Sequence, residues 1–211
     1  MMNYISREPI QKGWSKDKKY CITDEQGQKY LLRISDAESY DRKQQEFDQM
    51  GQVASTGISM CKPIAFGQCE EGVYSIQSWI YGTDAEALIP QMNKTLQYQY
   101  GFQAGQMLRK IHSIPAPMEL EPWDVYFNRK IDRKIQMYED CPIKYKNGDR
   151  FLDYIEAHRT LLKGRPRTYQ HGDYHIGNMM IDRTGQLTII DFDRDDFGDP
   201  WEEFNRIVWS A

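Results

Sequence analysis

No apolar run in this sequence approaches the roughly 20 residues needed to cross a bilayer, so no membrane partner is expected. Basic residues are not in excess. The chain has 27 Lys and Arg against 31 Asp and Glu, a formal net charge of -4, which gives no global attraction to nucleic acid or to an anionic surface. Cysteine is scarce, and Cys21, Cys61, Cys69 and Cys141 form no C-x-x-C pair and have no His at metal-ligand spacing. They read as reduced, partly buried thiols, which suits a reducing cytoplasm. The opening Met1-Met2-Asn3-Tyr4 lacks a basic segment followed by an apolar one and does not read as a secretory signal. Internal repeats, low-complexity tracts and long linkers are also missing. What remains is ordinary globular material: 211 residues, 40% hydrophobic and 27% charged. That is enough chain for one domain or two small lobes with a core that needs no disulfide or metal.

Periodicity divides the chain in two. Residues 4–34 read as three strands joined by turns, with Lys18–Thr23 alternating, Asp24-Glu25-Gln26-Gly27 as a turn signal, and Lys29–Ile34 carrying Tyr30-Leu31-Leu32. A helix is expected over 37–54, with Phe47, Met50 and Val53 on one face. Strands near Ile64–Gln68 and Val73–Trp79 complete a sheet, and Ser78–Asp84, with Gly82, reads as a hinge. Beyond it the chain turns helical. Asn93 is a cap for a helix over 94–112, and further helices are expected near 124–139 and 148–162. Short strands follow near Arg167–Gln170, Met179–Ile181 and Leu187–Ile190, and Trp201–Trp209 reads as another helix.

The chemistry lies in Tyr169–Pro200. One strand ends at His171-Gly172-Asp173, Asn178 follows, and a later strand runs into Asp191-Phe192-Asp193. Polar groups at strand ends joined by tight loops converge on one point. Phosphoryl transfer needs such groups, because there the protein mainly positions reactants and neutralises charge. Asp173 is placed to take the proton of an attacking hydroxyl. Asn178 and Asp191 offer oxygen ligands to Mg2+, a hard ion. The alternative is structural: an Asx-turn at Asp173, a cap at Asn178 and a solvated acidic run over 191–199. Asp195 and Asp196 read best as such a solvated face, and His175 as packed or solvent-facing.

His171-Gly172-Asp173-x-x-x-x-Asn178 resembles the catalytic loop of the aminoglycoside phosphotransferase family of small-molecule kinases, in which Gly takes the place of the protein-kinase Arg. Ile190-Asp191-Phe192-Asp193 resembles that family's metal motif, and Gly198-Asp199-Pro200 its usual continuation. The resemblance implies an α+β, bilobal, protein-kinase-like fold. Residues 1–80 would form a nucleotide-binding lobe, an antiparallel sheet with one helix. Residues 81–211 would form a mainly helical catalytic lobe, shortened at its C-terminus. It also implies that His171 braces the catalytic loop. On the nucleotide side, Arg33 stands where the third-strand lysine of related kinases stands, with Glu46 its candidate partner. Glu46 also fits an ordinary helix pair with Arg42 or Lys43. Ser15, in the loop Lys12–Asp17, sits where a loop would cover phosphates. Gln77-Ser78-Trp79-Ile80 would present backbone to a purine edge, with Ile64 and Ile190 as apolar walls.

The expectation is a Mg2+-dependent kinase that moves the γ-phosphate of ATP or GTP to a hydroxyl of a small molecule. The acidic residues between Asp191 and Glu203 could attract a cationic aminoglycoside. The competing reading is a nucleotide-binding module with little or no catalysis. A protein kinase fits less well, since no Ala-Pro-Glu closes a segment after Asp191 and Gly172 stands at the arginine position. Trp201, Phe204, Ile207, Val208 and Trp209 form an apolar face that wants a partner. Oligomeric state is not encoded in any of these features.

Overall fold

The strands predicted at the start of the chain form because β-branched and aromatic residues alternate there and turn residues punctuate them. A computed structural model describes residues 3–11 and 16–207. Ser6–Ile10 (β1), Lys18–Thr23 (β2), Lys29–Ser35 (β3), Pro63–Cys69 (β4) and Gly72–Ser78 (β5) make one antiparallel sheet in the order β1-β2-β3-β5-β4. The β2–β3 turn is an Asx-turn: Asp24 Oδ1 accepts the Gln26 and Gln28 N–H groups at 3.0 and 2.8 Å. Ile22, Leu32, Ile34, Tyr74 and Ile76 pack into a small core on this sheet.

The helix Tyr40–Ser55 (α1) starts later than the sequence suggests, because a short 3-10 turn occupies Ala37–Ser39. Its buried residues Met50 and Val53 do not join the small core. They pack into a larger one with Leu108, Ile111, Tyr169, Ile181, Ile189 and Phe192, so α1 ties the sheet to the rest of the chain. A second tie follows α1, where Cys61 N–H donates to the Ile189 carbonyl (3.1 Å) and Ile189 N–H donates to that of Ser59 (3.0 Å).

The helical part follows the sequence closely. Ala85–Leu88 (α2), Lys94–Ile111 (α3), Trp123–Asp140 (α4) and Gly148–His158 (α5) are helices, α5 continuing into a 3-10 turn over Arg159–Leu162. Asn93 caps α3 as expected, its Oδ1 accepting the Leu96 N–H at 3.0 Å. Gly82–Asp84 (β6) pairs with Met179–Asp182 (β8), which pairs with Leu187–Ile189 (β9). Thr168–Gln170 (β7) pairs with Asp196–Gly198 (β10). Gly82 therefore belongs to a strand. A Cβ there would strike the Ile181 carbonyl oxygen, so the glycine is required for close strand approach, a demand that the hinge reading did not anticipate. Phe204–Ile207 (α6) covers part of the expected last helix, while Val208 and Trp209 lie outside the described residues. Trp201 and Phe204 are exposed and touch each other, ring centroids 5.8 Å apart. Among the described residues, no helix is long and apolar enough to cross a membrane.

Candidate active site

The loop between β7 and β8 carries His171, Asp173 and Asn178, and the chain leaving β9 carries Asp191 and Asp193. Two hydrogen bonds to Ile190 lock these two segments into one site, and two more brace the loop internally. Asn178 Nδ2 donates to the Asp173 carbonyl at 2.9 Å, and Ile190 N–H donates to the Asn178 carbonyl at 3.0 Å. His171 Nε2 bonds the Ile190 carbonyl at 2.9 Å, while its Nδ1 accepts the Asp173 N–H at 3.3 Å. That pair of partners selects the neutral tautomer with the proton on Nε2. Burial agrees, holding the His171 pKa below the ordinary imidazole value. His171 thus braces the loop that presents Asp173.

Each of the two segments has one residue with a positive φ. Gly172 has φ +77°, and a Cβ there would collide with the Arg194 carbonyl oxygen. Asp191 has φ +67°, a left-handed conformation that Asp tolerates better than most residues. Around the Asp173 carboxylate stand two nitrogen groups, Arg194 Nη1 at 3.5 Å and His175 Nε2 at 3.7 Å. His175 also accepts the Gly177 N–H through Nδ1 at 3.1 Å.

A residue that sequence reasoning passed over holds the loop from behind. Glu203, just ahead of α6, is fully buried, and its carboxylate accepts the backbone N–H of His171 at 2.7 Å and of Gly172 at 2.9 Å. His112, at the end of α3, places Nε2 3.6 Å from the same carboxylate. In the sequence Glu203 is one of two consecutive glutamates beside aromatics, with nothing to separate it from a surface charge. Two further acids of this run are engaged as well. Asp199 takes a two-point contact from Arg165 at 2.6 and 2.7 Å, and Glu202 pairs with Lys130 at 2.5 Å. Asp199, Glu202 and Glu203, three of the acids expected to attract a polycation, are thus already partnered, whereas Asp196 is exposed as expected. Asp195 is not simply solvated: burial, with Glu46 nearby, raises its pKa to about 7.

In front of Asn178 and Asp191 opens a cavity of about 280 Å3. Leu31, Ile10, Met180 and Ile190 give it apolar walls, and Gln77, Ser78, Trp79 and Ile80 line the edge where the sheet passes into the helical part. Cys61 lies here too, a buried thiol whose pKa burial pushes up to about 12. Ile64 is not part of the wall. The β4–β5 register shifts between Pro63 and Ala65, and Ile64 at that bulge is exposed. Ser15 lies outside the described residues.

Arg33 is the cation at the cavity's inner end. Its Nη1 donates to Asp191 Oδ1 at 2.8 Å and its Nη2 to Asp193 Oδ2 at 2.6 Å. Nε and Nη2 also donate to Asp17 Oδ2, at 3.3 and 3.1 Å. Burial opposes the charge, but these carboxylates outweigh it and raise the Arg33 pKa. Glu46 pairs with Arg42 at 2.6 Å and with Lys43 at 2.8 Å, and it borders a small void together with Arg33. Asp17 and Lys43 at this end were not anticipated from sequence.

These residues fit a magnesium-nucleotide. Mg2+ is commonly held by one or two protein oxygens plus phosphates and water, so it needs no cage of three acidic or imidazole side chains. Among the described residues there is no such cage. With its amide nitrogen engaged, Asn178 has its amide oxygen left to serve as a ligand, and Asp191 lies beside it on the cavity wall.

The fold has its counterparts in solved structures. Aminoglycoside phosphotransferase APH(2'')-Ib bound to ADP superposes with a TM-score of 0.68 at 16% identity, over 96% of this chain and 70% of that one. A putative fructosamine-3-kinase from Haemophilus somnus 129PT gives 0.67 at 15%, over 95% and 70%. The streptomycin-ATP-APH(2")-IIa ternary complex gives 0.64 at 18%, again over 95% and 70%. At these identities the likeness establishes the fold, a kinase-like α+β architecture. No curated protein sequence matches the chain. The sequence profile described as the phosphotransferase enzyme family matches residues 6–211, and the chain belongs to that family.

Proposed function

We propose that this protein transfers the γ-phosphate of ATP or GTP to a hydroxyl group of a small molecule. Residues 1–80 serve as the nucleotide lobe and 81–211 as the catalytic lobe. The observation that carries the reading is that hydrogen bonds tie the loop of Asp173 and Asn178 to Ile190, the neighbour of Asp191, while Asn178, Asp191 and the cation Arg33 line one apolar-walled cavity.

Asp173 orients the acceptor hydroxyl and takes its proton as the oxygen–phosphorus bond forms and the bond from the γ-phosphorus to the β-bridging oxygen breaks. Asn178 and Asp191 would hold Mg2+, which when bound supplies neutralisation of phosphate charge. Arg33 attends the phosphates, Gln77 and Trp79 border the purine, and Ile190 packs on it. Glu46 acts at one remove, through Lys43. Glu203 and His171 hold Asp173 in place rather than touching substrate.

The neighbouring structures include a streptomycin complex, a hygromycin B complex and an amicoumacin kinase, so an acceptor screen should include aminoglycosides beside sugars, choline and amino-acid alcohols. The engagement of Asp199, Glu202 and Glu203 weakens the electrostatic case for a polycation specifically. A second reading, nucleotide binding with little turnover, is favoured by one observation: Arg33 occupies Asp191, a group that the metal needs. Nucleoside diphosphate release across the acceptor screen, with Mg-ATP and with Mg-GTP, separates the two. Asp173→Ala should abolish release while nucleotide affinity, read by calorimetry, is retained. Unchanged turnover in that variant would remove Asp173 from the role of base.

A further inference from the structure

Arg33 faces a difficulty at the site proposed above. Two of the carboxylates it binds, Asp191 and Asp193, belong to the acidic motif that a magnesium-nucleotide would engage. A buried guanidinium that loses such partners is costly unless another remains. Asp17, immediately ahead of β2, remains. It contacts Arg33 through Nε and Nη2, and its Oδ1 accepts Ser35 Oγ–H at 2.8 Å, which fixes the carboxylate against β3. The same Asp17 Oδ2 accepts Lys43 Nζ from α1 at 3.1 Å. All three side chains are about nine-tenths buried: 6% exposed for Arg33, 10% for Asp17 and 11% for Lys43. Burial would raise the Asp17 pKa, but Lys43 and Arg33 overcome it and hold the carboxyl below its ordinary value, so it stays charged.

We infer that Asp17 is the positioning residue for the phosphate side of the nucleotide site, and that Lys43 acts with it by holding that carboxylate against Arg33. This rests on the nucleotide-site reading above. The chemistry accounts for the arginine. A lysine offers a compact charge on a flexible stem. The guanidinium fork can keep two nitrogens on Asp17 while Nη1, released from Asp191, turns to a phosphate oxygen. Asp17 thereby does for a third-strand arginine what a helix carboxylate does for a lysine. It also draws Lys43 from α1 toward the same point, so the first loop, the third strand and the helix share one anchor.

The test is direct binding of a non-hydrolysable ATP analogue with Mg2+, by calorimetry, in the full chain and in Asp17→Asn and Lys43→Gln, with adenosine as the phosphate-free probe. Each variant should weaken the Mg-analogue affinity about tenfold, leave adenosine unchanged, and combine to less than a hundredfold, because both act through Arg33. Circular dichroism establishes folding, and if Asp17→Asn does not fold, Lys43→Gln carries the test. If the unaltered chain does not bind the Mg-analogue, the nucleotide-site reading falls and this inference with it. If it binds and both variants bind equally well, or lose adenosine in proportion, the inference alone is overturned.

Discussion

Replacing Glu203 by Gln tests how the catalytic loop is held. The carboxylate is fully buried and accepts two backbone N–H groups, from His171 and Gly172, at 2.7 and 2.9 Å. Glutamine keeps the shape but offers one carbonyl oxygen. Its NH2 must face the second N–H, donor against donor. A hydrogen bond to a charged acceptor contributes about 1.5–3 kcal/mol, and leaving a buried N–H unmet costs about 1–3 kcal/mol. Burying a neutral amide in place of a carboxylate returns part of that loss. The net expectation is about 2–3 kcal/mol of destabilisation. For a chain of this size that corresponds to a fall of roughly 5–10 °C in Tm. The two N–H groups immediately precede Asp173, so kcat should fall further than KM rises; a displacement of about 1 Å at a reacting group can cost on the order of a hundredfold. Thermal unfolding and steady-state kinetics on the best acceptor are the assays. A Tm within about 1 °C of the unaltered protein, together with an unchanged kcat, would refute the claim that this carboxylate sets the loop.

Two further outcomes are expected. Gly172→Ala forces a Cβ against the Arg194 carbonyl at a positive φ, so unfolding should show a loss of at least about 1–2 kcal/mol and kcat should drop with it; an alanine variant of normal stability would show that the loop is not so constrained. Partial burial and the nearby carboxylates of Glu46, Asp196 and Asp193 raise the Asp195 pKa to about 7 in the folded protein, against an ordinary 3.8. Between those values the folded chain keeps a proton that the unfolded chain has released, so the contribution of this group to stability falls as pH rises from about 4 to about 7. Asp195→Asn should therefore raise Tm at pH 8 and give no gain at pH 4, and an equal effect at both pH values would exclude this origin.

Much of the fold was legible because it rests on local signals. Period-2 alternation and the Asp24 turn marked the hairpin, and Asn93 marked the start of α3 within a residue. Two short strands were missed, β6 and β10. Each has only three residues and exists because a partner strand lies alongside, so no local pattern announces it.

Sequence singled out Asp173, Asn178 and Asp191, and the fold sets their two segments side by side through the bonds of Ile190 to Asn178 and His171. Tertiary structure decided who partners them. Glu46 lies on the helix expected to serve Arg33, yet it pairs with its own helix neighbours Arg42 and Lys43, while Asp17, from a loop, grips Arg33. Glu203 and Asp17 carry the same charge as any surface acid. What distinguishes them is burial beside unmet backbone N–H groups in one case and beside two buried cations in the other. Burial and long-range pairing are set by how separate elements pack, and a linear sequence shows neither until the chain has closed on itself.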